Sequence, residues 1–142
     1  MTPHAPDRPD NREVEEWETR EWFQEFLDAM NRHDPEALRE FLDPGVRRAH
    51  LPAGADAWLD EYADLLHGFP DWQWRRIQVL VEEDRLAVHL RGSGAHTGVF
   101  RHVAPTRRRV SIASFAMYRV VRGRIVEASG TDDAEAIRAA VV

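Results

Sequence analysis

Apolar residues recur along the first part of the chain at the spacing of a helix. Val14, Trp17, Phe23, Phe26, Leu27 and Met30 fall on one stripe, which predicts an amphipathic helix of about five turns that stops before Asp34-Pro35. Pro35 suits the first position of a second short helix, "PEALREFL", with Leu38, Phe41 and Leu42 buried and Asp34 as N-cap. "DPG" at 43–45 then turns the chain into a short extended piece, "VRRAHLP". A third helix spans "GADAWLDEYADLLHGF", with Trp58, Leu59, Tyr62, Leu65 and Leu66 inward, and Gly68 and Pro70 end it. Beyond Asp71 the period falls to two. "WQWRRIQVLVEE", "RLAVHLRGSG", "RRVSIASFAMYRVV" and "RIVEASGT" read as four successive strands, with turns near Glu83-Asp84 and Arg122-Gly123. A short helix over 133–140 closes the chain. Helices followed by an antiparallel meander predict an α+β fold, the N-terminal helices packed over a curved sheet that encloses a cone-shaped pocket.

The Arg122-Gly123 turn predicts a register for the last two strands. It sets Tyr118 opposite Glu127, Ala116 opposite Ser129, Ser114 opposite Thr131 and Ile112 opposite Asp133, all on one face. Phe115, Met117, Arg119, Val126, Ala128 and Asp132 then share the other face. Only one aspartate of "TDD" can see a pocket on this reading, and a one-residue slip exchanges the faces. Asp132 and Glu135 have the spacing of a capping-box variant. Asp133 either moves protons in the pocket or stabilises the helix start by charge and dipole.

Composition narrows the chemistry. The 142 residues fit one domain, with residues 1–12, proline-rich and nearly free of apolar side chains, expected to be a mobile tail. No long apolar run or signal-peptide core occurs, so a soluble, cytoplasmic protein without membrane contact is expected. Cysteine is absent, which removes disulfides and thiolate chemistry. All 19 basic residues are arginine, so lysine Schiff bases are excluded; the same usage is associated with GC-rich, actinobacterial genomes. A net charge of -6 argues against nucleic acid as partner. No H-x-x-x-H pair occurs among the seven histidines, and no metal site is read from the sequence.

The segments "NRHDPEALREFLDPGV", "GFPDWQW", "EEDRLAVHLRGSGAHTGVF", "APTRRRV" and "YRVVRGRIVEASGTDD" come in the order, and near the spacing, of SnoaL-like polyketide cyclases, a group within the nuclear transport factor 2-like superfamily. The chain resembles that family over roughly residues 14–139. "FPD", "HTG", "PT" and "RGRIVE" are weak singly and stronger in that order. Two positions depart from the family pattern. Arg107 stands where relatives usually have Gly after "PT", and Ser129 where they usually have Trp two residues after the last-strand Glu, Glu127.

The resemblance implies a cone-shaped α+β barrel, a hydrophobic, polyketide-like substrate, and ring closure without metal or nucleotide cofactor. It also implies a homodimer formed through the outer sheet face; an acyl carrier protein is a further conceivable partner. It places the acid/base aspartate six residues after Glu127, at Asp133. His96, in "GAHTG", and His50, before Pro52, are the candidates to assist it, although a surface or structurally bonded histidine is the ordinary reading of either. Trp58, Phe69, Trp74 and Tyr118 are expected to shape the pocket, with Ser129 and Glu127 on its wall and His102, in "FRHVAPT", over the entrance. His89 is expected to point away from Leu86, Val88 and Leu90. Trp72 and Trp74, placed on one strand face with Arg76 and Gln78, suit a flat ligand or plain core or dimer packing. Arg107, Arg108 and Arg109 are a solvated strand entry or a contact for a carboxylate or phosphate. The function expected is a polyketide-type cyclase, by aldol-type closure, epoxide opening or cycloaddition; the alternatives are isomerase, dehydratase or hydroxylase action on a polycyclic substrate, or a small-molecule-binding domain without catalysis.

Overall fold

Asn11 opens helix α1, which runs to Asn31; the computed structural model describes residues 11–142. The expectation of a tail over 1–12 therefore lies, but for its last two residues, outside the described residues. Phe23, Phe26, Leu27, Ala29 and Met30 of α1 are buried, whereas Val14 and Trp17, expected on the same buried stripe, stand 38% and 62% exposed. Burial begins where the helix meets the sheet: Arg20 donates to the Val79 carbonyl and Trp22 Nε1 to the Gly123 carbonyl, both at 2.8 Å. At the other end, the Asn31 carboxamide donates to the Trp74 carbonyl at 2.9 Å and accepts from the Trp74 N–H at 2.8 Å. One side chain thus takes the place of a neighbouring strand and pins the helix end to the sheet.

Asp34 caps α2, Pro35–Arg39, accepting from the N–H groups of Glu36 and Ala37 at 3.1 Å. This helix is shorter than the apolar spacing predicts. Leu42 leaves it to open strand β1, Leu42–Arg48, where Leu42 and Val46 are fully buried in the core. Tertiary packing outweighs local helix propensity here. "DPG" correspondingly lies inside β1 and does not turn the chain; Asp43 accepts from the Gly45 N–H at 3.0 Å, and the register with the neighbouring strand slips between Leu42 and Arg47.

After α3, Ala55–Gly68, come the four strands of the meander: β2 (Gln73–Glu82), β3 (Arg85–Ala95), β4 (Arg109–Val121) and β5 (Arg124–Gly130). Helix α4, Asp133–Val141, follows. The sheet order is β1-β5-β4-β3-β2, with β1 parallel to β5 and every other pair antiparallel. It is an open, curved sheet under N-terminal helices, the α+β cone that the sequence predicts.

Two bulges, each of which bends and twists its strand, change two predicted faces. Ile77 is an extra residue between the pairs Arg76↔Leu90 and Gln78↔His89. Gln78 therefore does not share a face with Trp74 and Arg76, and Val79 turns inward. Trp72 precedes the strand and is 2% exposed. Val126 is the second extra residue, between Arg119↔Glu127 and Val120↔Ile125. It sets Tyr118 opposite Ala128, Met117 opposite Ser129 and Ala116 opposite Gly130, one place from the predicted register. Glu127 and Ser129 thereby move to the face of Arg119 and Met117.

The core has two parts. The larger joins α1, α2, α3 and the inner sheet face through residues such as Phe26, Leu59, Leu86 and Tyr118. The smaller gathers Phe69, Trp72, Phe100, Val110 and Ile112 under Ile137 and Val141 of α4.

Candidate active site

A cavity of about 470 Å³ opens where the two parts of the core meet, bounded by α3, the inner sheet face, the end of β1 and the start of α4. Trp58, Leu65, Trp74, Leu90, Tyr118 and Ile137 give it a largely apolar wall. This size suits a small organic ligand.

The carboxylate on that wall is placed by the way β5 ends. Gly130, at φ +150°, runs so close to β4 that a Cβ would stand 2.1 Å from the Phe115 carbonyl oxygen; only glycine fits. Thr131 is then fastened to β4, its N–H donating to the Phe115 carbonyl at 2.9 Å and its hydroxyl accepting from the Phe115 N–H at 3.0 Å. Asp132 is the N-cap of α4, accepting from the Glu135 N–H at 3.1 Å. Only half of the expected capping box forms, because the Glu135 carboxylate pairs with Arg138 at 3.6 Å. Asp133 comes next and lines the cavity. Ser114 Oγ donates to its Oδ2 at 2.7 Å and Thr131 Oγ1 to its Oδ1 at 2.8 Å. Burial pushes the Asp133 carboxyl above the usual aspartate range, against the pull of the two hydroxyls and with a small push from Asp132. Both aspartates border the cavity, and they divide the work: Asp132 holds the helix start, and Asp133 presents the more deeply buried carboxylate.

Across the cavity, Val46 and Arg48 alternate inward along β1. Arg48 is 9% exposed and pairs through Nη2 with Glu61 of α3. Its guanidinium carbon lies 5.0 Å from the Trp58 ring centroid, a cation–π contact. Its Nη1 is buried with no hydrogen-bond partner among the described residues. Trp58 in turn lies 6.3 Å from the Tyr118 ring. Burial pushes the Tyr118 hydroxyl far up, with Asp133 adding to the shift and Arg48 opposing it. Tyr62, also on the wall, donates to the Met30 carbonyl at 2.8 Å, and burial pushes it up to about 12.

Comparison with known proteins places the fold. A model of the SnoaL-like polyketide cyclase family matches residues 19–141. The chain belongs to the SnoaL-like polyketide cyclase family. IdmH from Streptomyces antibioticus, assigned as a polyketide cyclase, is 27% identical with a TM-score of 0.70, over 84% of this chain and 94% of IdmH. AclR from Streptomyces galilaeus, assigned as a hydroxylase, is also 27% identical with a TM-score of 0.73, over 80% of this chain and 77% of AclR. A SnoaL-like protein from Jannaschia sp. CCS1 shares the fold over 99% of this chain and 97% of its own, with a TM-score of 0.76 at 23% identity. A search of curated protein sequences finds no significant match.

In this SnoaL-like cone, Asp133, Trp58, Trp74 and Tyr118 line the cavity, with exposed His50 at its rim. Ser129 also borders it, although the register directs its side chain toward the Met117 face. The other expected residues lie elsewhere. His96 is fully buried in the smaller core, its ring stacked 5.1 Å from Phe69; neither ring lines the cavity. The Thr106 N–H donates to His96 Nδ1 at 3.1 Å, with the Thr106 hydroxyl 2.9 Å away. Nδ1 is therefore the acceptor, and the proton of the neutral ring sits on Nε2. His102 is exposed in a tight turn with Arg101, both at positive φ; Arg101 and Phe100, not His102, border the cavity. Glu127 pairs with Arg47, Arg85 and Arg119 on the outer face. The cause is the extra residue Val126. His89 points outward as expected, stacked 4.3 Å from Phe115.

Arg48, Glu61, Asp64, Arg101, Ser114 and Thr131 are polar wall residues that sequence reading did not single out. Ser114 and Thr131 were on the predicted face of Asp133 without a role. Arg48 carried a signal of its own: a charged residue two positions after an inward valine on a strand needs a partner inside. Among the described residues, no three His, Cys, Asp or Glu side chains are grouped to hold a metal ion, and no helix is long and apolar enough to cross a membrane.

Proposed function

We propose that the cavity closes a ring in a polyketide-like substrate by an intramolecular aldol reaction. The observation carrying this reading is the Asp133 carboxylate, which lines a largely apolar cavity, is held by Ser114 and Thr131, and has its pKa raised by burial. A raised pKa makes the carboxylate a stronger base once ionised, and its acid form a usable donor nearer neutrality. Asp133 takes a proton from a carbon flanked by carbonyls; the electron pair moves onto the carbonyl oxygen as an enolate. The enolate carbon attacks a second carbonyl of the same chain, and the new alkoxide takes the proton back from Asp133. His50 at the rim is left to orient the substrate.

The test is the pH dependence of ring closure by wild type and Asp133→Asn on an open-chain poly-β-ketone. The wild-type rate is expected to rise as Asp133 ionises, at a pH above the ordinary aspartate range, and the variant to be nearly inactive. Equal, flat profiles refute the acid/base role. A product that gains oxygen without ring closure favours the activity assigned to AclR.

We extend the proposal to a homodimer through the outer sheet face, where Leu80, Phe115 and Met117 stand 55%, 51% and 47% exposed. Sedimentation of wild type against Phe115→Glu checks it; a wild-type monomer rejects it.

A further inference from the structure

Among the polar groups of the cavity wall, most have partners. Asp133 has Ser114 and Thr131, Glu61 has Arg48, and Tyr62 has the Met30 carbonyl. Two donors on side chains turned in from solvent are left over. Tyr118 is 8% exposed and lines the cavity, and no hydrogen bond joins its hydroxyl to another described residue. Arg48 keeps one guanidinium nitrogen, Nη1, buried and unpaired. Both belong to side chains that line the same cavity, and Trp58 lies between them, 5.0 Å from the Arg48 guanidinium carbon and 6.3 Å from the Tyr118 ring.

An unpaired buried donor such as Arg48 Nη1 costs free energy, and an acceptor brought into the cavity satisfies it together with the Tyr118 hydroxyl. Resting on the reading that Asp133 is the base, we infer that Tyr118 and Arg48 together receive the oxygen on which negative charge collects when the substrate is deprotonated. Tyr118 is suited to this because burial and Asp133 hold its hydroxyl protonated, so it donates at every working pH. Arg48 supplies a guanidinium donor whose charge is offset by Glu61, so the site binds an enolate better than a carbonyl without being a general anion trap. Nη1 is also closed to solvent, so a ligand reaches it by a shift of the guanidinium edge. The arrangement selects ligands with an apolar, planar body for Trp58 and an oxygen that becomes anionic.

The test uses 2-acetyl-1-tetralone, a bicyclic 1,3-diketone whose enolate absorbs at longer wavelength than its enol. Wild type is expected to bind the enolate preferentially, so that the long-wavelength band appears at lower pH with protein than without. Tyr118→Phe and Arg48→Met are each expected to weaken binding about 10- to 100-fold and to abolish the shift, the range for loss of one hydrogen bond to a charged group. Because Arg48→Met leaves Glu61 unpaired, Arg48→Met with Glu61→Gln provides a variant with no stranded charge. Asp133→Asn is expected to keep the band shift or enlarge it, since a competing negative charge is removed. Retention of the shift in Asp133→Asn together with full turnover would remove the base and leave the oxygen site standing. Wild-type spectra and affinity in Tyr118→Phe and in the double variant overturn the inference, as does a wild type that does not bind the probe at all.

Discussion

Asp133 and His96 are both ionisable side chains set among apolar residues, and each is held by a threonine. They differ in what lies on their other side. Asp133 borders a cavity of about 470 Å³. His96 is packed flat on Phe69, its Nδ1 bonded to Thr106, and the backbones on either side are tied together by the His96 N–H to the Arg108 carbonyl and the Arg107 N–H to the His96 carbonyl, both 2.9 Å. One site has room for a reacting molecule; the other is a clasp that closes the loop between β3 and β4. A polar residue in an apolar setting therefore signals chemistry only when open volume adjoins it.

The sharpest way to break this contrast is turnover. Asp133→Asn is expected to lower ring-closure rate by about 10²- to 10⁴-fold, the usual worth of general acid–base catalysis, whereas His96→Phe is expected to keep wild-type turnover per folded molecule. A large loss of turnover in a well-folded His96→Phe protein would put the histidine back in the mechanism. In stability the order reverses. His96→Phe strands the Thr106 N–H and is expected to cost about 1–3 kcal/mol in denaturant unfolding.

Asp133 moves the other way. Its folded pKa is raised, so the native state binds the proton more tightly; stability from this group is present in full below the unfolded pKa and is lost as pH rises through the folded pKa. Asp133→Asn is therefore expected to be more thermostable than wild type at neutral pH, with the gain shrinking toward acid pH in melting curves. A smaller effect sharpens the same site. Ser114→Ala removes a hydroxyl that pulls the Asp133 pKa down, so the acidic limb of the pH–rate profile should move to higher pH; an unmoved limb would mean that another group sets it.

Much of the fold was legible because it rests on period: helical spacing from Phe23 to Met30, alternation in β3, and turns at Glu83-Asp84 and Arg122-Gly123. Alternation carries no mark of an extra residue, so the bulges at Ile77 and Val126 were invisible and every face assignment beyond them shifted. Glu127 was misplaced for that reason. Asp133 was expected to meet the face of Ser114 by strand parity, yet the ladder stops at Gly130 and the contact comes from the first residue of a helix. The expectation held by a different route. His96 was named through the resemblance, and nothing local in "GAHTG" tells a clasp from a catalyst. Arg107, where the resemblance leads to an expectation of glycine, stands at φ +63°, which gives that departure a conformational cost.

The parallel pairing of β1 with β5 bears on the order of folding. β2 to β5 are joined by near-neighbour hairpins and one longer loop, whereas the pairs Arg47↔Glu127 and Arg48↔Ala128 close a loop across most of the chain, as does the Trp22–Gly123 bond. Contacts of such separation are entropically slow to form. The meander should nucleate first and the arginine wall arrive last, so in chevron kinetics substitutions at Val46 should act on the unfolding rate and those at Leu86 or Val88 on the folding rate. The pocket would then be the final part of the molecule to exist.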